Sequence, residues 1–153
     1  MRKIFTFTFA LLLFAAAAFA AIYPVSDKWM VNHSEVIVAG EVVSITSDYE
    51  ADGLIWSYAT IQVDQVVMGL ASDQVTFKYQ GGTVGDMTLR VSTSPTFEEG
   101  EEVLVFLKSA EDGTLEITNW VLSKRTLVDG RFIEVDKPYH EYIDELTEIA
   151  NTR

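Results

Sequence analysis

The sequence predicts a mainly β protein: a small Greek-key barrel, closed or partly open, of about five to six strands, with a short N-terminal helix and a C-terminal amphipathic helix. Three observations lead to this fold class. Short segments rich in Val, Ile and aromatic residues alternate in polarity over most of the chain. Turns rich in Gly and Asp separate these segments. After Pro138 the apolar period changes from two residues to that of a helix.

Residues 1–20 are typical of an export signal. Arg2 and Lys3 precede a short apolar segment, Ile4 to Phe14, and Ala18-Phe19-Ala20 fits the small-x-small pattern of cleavage sites. An uncleaved membrane anchor is the alternative, but the apolar segment is short for a bilayer span. We therefore expect cleavage after Ala20, export to the periplasm or the extracellular space, and no stable membrane insertion afterwards.

The charge and the cysteine content exclude several classes of function. The chain has 11 Lys and Arg against 23 Asp and Glu, a formal net charge of −12, and loss of Arg2 and Lys3 makes it more negative. Such a surface repels phosphate backbones, so we expect no nucleic-acid partner. The chain has no cysteine, which excludes a disulfide framework, a cysteine nucleophile and a thiolate metal site.

After the signal, residues 21–34 are expected to form a lead-in with one short helix. Ser26 is a suitable N-cap and Asp27 suits the first turn. We expect Trp29 and Met30 to pack on the barrel, which is assigned to residues 35–137.

The barrel begins with a strand over residues 36–45, in which Gly40 indicates a bulge or a close backbone approach. A turn at residues 48–53 leads to a strictly alternating strand. This strand should bulge or end near Gln65. The residues on its inner face are Ile55, Ser57, Ala59, Ile61 and Val63.

A third strand follows at residues 75–79, and then a glycine-rich passage. Gly81, Gly82 and Gly85 are interpreted as bends rather than a phosphate loop, because strands flank them and no Lys-Ser/Thr follows. Residues 103–107 are apolar on both faces, as in a central strand that is covered on both sides.

Further strands are expected at residues 115–117, 120–122 and 131–135, with a hairpin at Asp129-Gly130. Residues 138–153 should form the amphipathic C-terminal helix. Closure of these strands into a barrel of the OB type is the most economical arrangement, because it removes exposed strand edges. The apolar face of the helix is formed by Tyr139, Tyr142, Ile143, Leu146 and Ile149.

Four motifs of residues 34–135 resemble a known group of domains: SEVIVAGEVVSI, Y-x-T-I-x-V-x-x-V-x-x-G, G-G-x-x-G and P-x-F-x-x-G-E-E-V-L-V-F-L. The group consists of bacterial exported OB-fold-like domains, some of which precede a secreted zinc-metalloprotease domain. The layout is also similar to the netrin-like modules of tissue inhibitors of metalloproteinases. The resemblance implies an OB barrel, export and, as one option, a protease-directed role.

One departure from the inhibitors limits what the resemblance implies. Those inhibitors chelate the protease zinc through an N-terminal cysteine and its amino group. The expected mature start here is Ala21-Ile22-Tyr23-Pro24, without a cysteine. That mechanism is not carried over, and no functional residue is assigned from the resemblance.

The first candidate site is a calcium loop formed by Asp48, Glu50 and Asp52. Alternate carboxylates followed by Gly53 can wrap a hard cation. The twelfth position is Ala59, where a bidentate glutamate would be needed, so a solvated turn is the alternative. A second acidic cluster, Glu98 to Glu102, is interpreted as a charged turn that flanks an apolar strand.

The second candidate site is a group of aromatic residues, Tyr49, Trp56 and Tyr58. Trp56 and Tyr58 share one strand face and Tyr49 is expected in the preceding turn, so together they could stack on a sugar or anchor a partner protein. The alternative is that these residues cover the core beneath the terminal helices.

Catalysis has little support in the sequence. The two histidines, His33 and His140, lie at opposite ends of the domain, and neither G-x-S-x-G nor H-E-x-x-H occurs. We therefore expect an exported, non-catalytic binding module, with no required cofactor, for a protein or an extracellular ligand. A protease-directed inhibitor or propiece, a calcium-dependent carbohydrate-binding module and a small hydrolase are the alternatives, in that order.

Overall fold

A computed structural model describes residues 25–153. The predicted signal peptide lies outside these residues. The described part forms two α-helices, ten strands and one 3-10 turn. In chain order they are α1 Asp27–His33, β1 Val36–Tyr49, β2 Ile55–Met68, β3 Gln74–Gln80, β4 Gly82–Val84, β5 Met87–Leu89, β6 Glu102–Ser109, β7 Leu115–Ile117, the 3-10 turn Trp120–Ser123, β8 Lys124–Val128, β9 Arg131–Phe132, β10 Lys137–Pro138 and α2 Tyr139–Asn151.

Five of the strands close into a barrel. Their order is β1-β2-β3-β7-β6, and β6 pairs with β1 to complete the ring. The β3–β7 pair is parallel and the other four pairs are antiparallel. Strands β8, β9 and β10 extend the sheet from β6, and β4–β5 is a separate hairpin. The predicted OB-like barrel with a short N-terminal helix and a C-terminal helix is confirmed.

Strand β1 bends around the barrel through irregularities in its pairing with β2. The register shifts between Ala39 and Gly40, where β2 carries the extra residue, Asp64, and Gly40 makes the expected close backbone approach to β2. Strand β2 alternates as predicted, with Ile55, Ser57 and Ala59 buried. It bulges next to Gln65, as predicted, and then continues through a second register shift to Met68.

Strand β6 separates two hydrophobic cores. All residues from Val103 to Leu107 are buried, as predicted for a central strand. Val103, Val105 and Leu107 face the barrel interior, whereas Leu104 and Phe106 face a second core beneath the helices. The continuous apolar run is therefore explained by a strand that is covered on both faces.

The two helices cover the outer face of β1 and β6. Ser26 caps α1 by accepting a hydrogen bond from the Trp29 amide at 3.2 Å, as predicted. Met30 is fully buried, but Trp29 is 38 % exposed and stacks on His33 rather than on the barrel. The expectation that Trp29 packs on the barrel is therefore wrong. Helix α2 buries the predicted stripe, including Tyr142 and Leu146.

Three local predictions need correction. Residues 120–122 form a 3-10 turn rather than a strand, and the strand begins only at Lys124. The strand expected at residues 131–135 stops at Phe132. Gly82, interpreted as a bend, is also the first residue of strand β4, and like Gly81 and Gly85 it has a positive φ. Within residues 25–153, no helix is both long and apolar enough to span a bilayer.

Candidate binding groove

The aromatic residues of β2 lie on the outer face of the barrel. Ser57 and Ala59 point into the barrel, so Trp56 and Tyr58 point outward, and both are half-buried. Neither residue belongs to the barrel core or to the core beneath the helices. The interpretation that they cover the core under the terminal helices is therefore wrong. Tyr49 lies at the end of β1 and is 49 % exposed.

Acidic residues of the β1–β2 connection hold both aromatic side chains in place. The Trp56 indole N–H donates to Asp52 Oδ2 at 3.1 Å, and the Tyr58 hydroxyl donates to Glu50 Oε1. The bond to Glu50 also raises the pKa of Tyr58, because it stabilises the neutral phenol. The outward aromatic face is thus ordered before any ligand arrives, which lowers the entropic cost of binding.

Trp56 forms one wall of a small open groove, which we call the tryptophan groove. It has a volume of about 120 Å³ and runs across the outer face from β2 to the 3-10 turn. That volume suits one side chain or one sugar ring rather than a whole small molecule, since small-molecule pockets measure roughly 300–1,000 Å³. The groove is lined by Trp56, Lys78, Gln80, Lys108, Glu116, Ile117, Thr118 and Trp120.

Two ion pairs set the charge along the groove. Lys78 Nζ lies 2.8 Å from Asp112 Oδ2 and 5.4 Å from the centre of the Trp56 ring. Lys108 Nζ lies 3.2 Å from Glu116 Oε1. The hydrogen bond with Asp112 raises the pKa of Lys78, and the same bond, with two further bonds from Thr114, lowers the pKa of Asp112. The groove therefore offers both fixed cations and fixed anions beside its aromatic walls.

The opposite wall, Trp120, is a residue that sequence reasoning missed. Trp120 is 49 % exposed, and the neighbouring Val121 is 41 % exposed. The φ angle of Trp120 is +45°, which bulky residues rarely adopt because it is strained. The chain is held there by backbone hydrogen bonds from Thr118 N to Phe106 O and from Val121 N to Thr93 O. Backbone strain of this kind concentrates at functional sites.

Comparisons with known proteins add no assignment to this geometry. No protein-family model matches the chain, and no similar sequence is found among curated proteins. The function is therefore argued from the site itself.

The proposed calcium ligands have other partners in the structure. Asp48 accepts a hydrogen bond from the Tyr49 amide and Asp52 accepts one from the Leu54 amide. Glu50 accepts from Tyr58. Within residues 25–153, no group of three or more His, Asp or Glu side chains is arranged to hold a metal ion.

The other acidic cluster and the histidines also have structural contacts. Glu101 Oε1 lies 2.5 Å from Lys124 Nζ, and Glu99 accepts a hydrogen bond from the Ile45 amide. His33 Nδ1 contacts the Trp29 carbonyl at 2.8 Å. The buried Ser34 hydroxyl donates to the Met30 carbonyl and contacts Thr118 Oγ1. The structure thus gives the adjacent His33 and Ser34 separate partners, not a shared hydrogen bond.

The Asp112→Asn variant should alter the acid dependence of stability. The pKa of Asp112 is depressed in the folded protein, so its stabilisation is present at neutral pH and is lost as pH falls below about 4, the ordinary pKa of aspartate. We expect Tm to be lower for the variant at neutral pH and the difference to shrink towards pH 2. Asp86→Asn is the control, because Asp86 makes no ion pair or side-chain hydrogen bond within the described residues. A difference independent of pH would contradict the assignment.

Proposed function

We propose that this protein is an exported, non-catalytic interaction module that binds a partner protein through the tryptophan groove. The observation that carries the proposal is the pair of tryptophans, Trp56 and Trp120, on opposite sides of one outer groove and outside both hydrophobic cores. Tryptophan is enriched among the residues that contribute most to protein–protein affinity.

The chemistry of the groove favours one inserted side chain from the partner. Its volume of about 120 Å³ matches a single side chain, and Trp56 is held by its bond to Asp52. The Lys78–Asp112 and Lys108–Glu116 pairs can bond to the partner's backbone and polar side chains around that anchor. A central anchor with a polar rim is the usual anatomy of a protein interface.

A capture experiment tests the proposal. The purified protein is immobilised and exposed to the envelope and secreted fractions of its source cells, with calcium or with a chelator and at two salt concentrations. We expect a specific protein to bind in both cation conditions. Polysaccharide captured only with calcium would instead support the carbohydrate-binding alternative, and a single captured protease would support the protease-directed role.

A further inference from the structure

A second and larger cavity lies at one end of the barrel, beneath the β4–β5 hairpin. Its volume is about 680 Å³, within the usual range of small-molecule sites, which is roughly 300–1,000 Å³. The hairpin and the loop of residues 90–97 close it against the ends of β1, β2 and β3. We call this the end cavity. It is lined by other residues than the tryptophan groove, apart from Gln80, which contributes to both.

One wall of the end cavity is apolar and aromatic. The rings of Tyr79 and Phe97 pack with centroids 4.9 Å apart, and both residues are buried. Burial raises the pKa of Tyr79, so its phenol stays neutral. Ile45 and Leu89 add aliphatic surface. A wall of this kind can contact the flat or branched hydrocarbon part of a ligand.

Hydroxyl groups line another part of the cavity. Ser57 Oγ donates to the Gly81 carbonyl at 2.6 Å, so in its 2.8 Å contact with Ser47 the Ser47 hydroxyl is the donor. Ser94 is only 9 % exposed, and its hydroxyl has no hydrogen-bond partner within the described residues. A buried hydroxyl without a partner is uncommon, because it loses its bonds to water on folding. The Ser94 oxygen itself is fully buried, so it adds no surface to the cavity.

Among the described residues, Arg90 is the only charged side chain that lines the end cavity. Residues 25–153 contain four arginines. Arg125, Arg131 and Arg153 each form hydrogen bonds, whereas Arg90 forms neither a hydrogen bond nor an ion pair within this range. Arg90 is exposed, so its guanidinium is open to a ligand at the cavity. Its planar guanidinium matches a carboxylate through two parallel hydrogen bonds.

We propose that the end cavity binds a small organic monocarboxylic acid. Its hydrocarbon part lies on Tyr79 and Phe97, and its carboxylate pairs with the exposed Arg90. The cavity volume limits the hydrocarbon part of the acid to about one or two fused rings or a medium-length chain. This site goes beyond the proposed function, because it uses a different cavity and a different class of ligand.

The probe is 2-naphthoate, with neutral 2-naphthamide as its uncharged analogue. Binding to the purified protein is measured by calorimetry and located by backbone amide shifts in NMR spectra. We expect naphthoate to bind more tightly than naphthamide and to shift amides in residues 79–97. Arg90→Gln should weaken naphthoate about tenfold, the loss of one charge-assisted contact, and leave naphthamide unchanged.

A matched pair of loop variants tests the location. Ser92 lines the cavity and is exposed, so Ser92→Trp should block it and abolish binding of both probes. Thr93 is also exposed but does not line the cavity, so Thr93→Trp should leave binding intact. Thermal unfolding of each variant checks that it is folded. The proposal is overturned if naphthoate does not bind, if it shifts other amides, or if Arg90→Gln binds it as tightly as the original protein.

Discussion

Arg125→Ala is expected to lower the free energy of unfolding by about 3 to 5 kcal/mol, the usual cost of breaking a buried ion pair. The Arg125 side chain is 7 % exposed, and its Nη2 lies 3.5 Å from Asp27 Oδ1. Its Nη1 donates to the carbonyls of Leu122 and Lys124, at 2.7 and 3.0 Å. Tyr142 donates to the same Asp27 oxygen at 2.8 Å. The Asp27 carboxylate of α1 thus contacts both Arg125 of β8 and Tyr142 of α2, which links the two helices to the sheet.

Urea unfolding measures this loss, and two variants separate its causes. Arg131→Ala removes the exposed pair with Asp136 and should cost at most about 1 kcal/mol. Arg125→Met keeps most of the side-chain volume but removes the cation beside Asp27 and the donor to the carbonyls of Leu122 and Lys124. It should remain clearly destabilised, though less than Arg125→Ala. If Arg125→Ala were as mild as Arg131→Ala, the cluster would not hold the helices to the sheet.

Gly40→Ala is the second change with a large expected effect, a loss of about 3 kcal/mol from overpacking. A Cβ atom at Gly40 would lie 2.0 Å from the Gln62 carbonyl oxygen and 2.9 Å from a methyl of Ile61. The first of these atoms is backbone of the paired strand, so it cannot move without opening the β1–β2 ladder. The expected loss of stability in Gly40→Ala therefore comes from a clash between two paired strands.

The control for Gly40 is Gly113, whose φ is +82° and whose added Cβ would meet nothing within 4 Å. Gly113→Ala tests the conformational cost alone, which is about 1 to 2 kcal/mol. Urea unfolding should rank Gly40→Ala as the more destabilised of the two. The reverse order would show that β1 and β2 can separate at this point at little cost.

The strands were predictable from the sequence where a short segment has a regular pattern of buried residues, either alternating or continuous. Strand β2 buries every second residue, so its alternation indicated both the strand and its inner face. Val103 to Leu107 contact a different core on each face, which explains why that apolar run has no alternation. The Asp129-Gly130 hairpin was predictable because a type I′ turn requires positive φ at both residues, which Asp-Gly adopts readily. Both residues do have positive φ in the structure.

The groove was only half predictable, because its walls come from segments that are distant in the chain. Trp56 and Tyr58 were found by their shared face. Trp120 was placed in a strand, since Trp-Val-Leu has high β propensity. Its actual turn depends on backbone bonds to Phe106 and Thr93, which no local pattern reveals. The same holds for the Arg125–Asp27 cluster and for the end cavity.

The measurement that tests the proposed function most directly is capture from envelope and secreted fractions by three forms of the protein. They are the original chain, the double variant Trp56→Ala with Trp120→Ala, and Trp29→Ala as a matched control. Trp29 is exposed on α1 and does not line the groove. The account predicts that the original chain and the control recover the same protein, and that the double variant recovers at least about tenfold less of it. Equal recovery by the double variant, or no specific protein with any form, would contradict it.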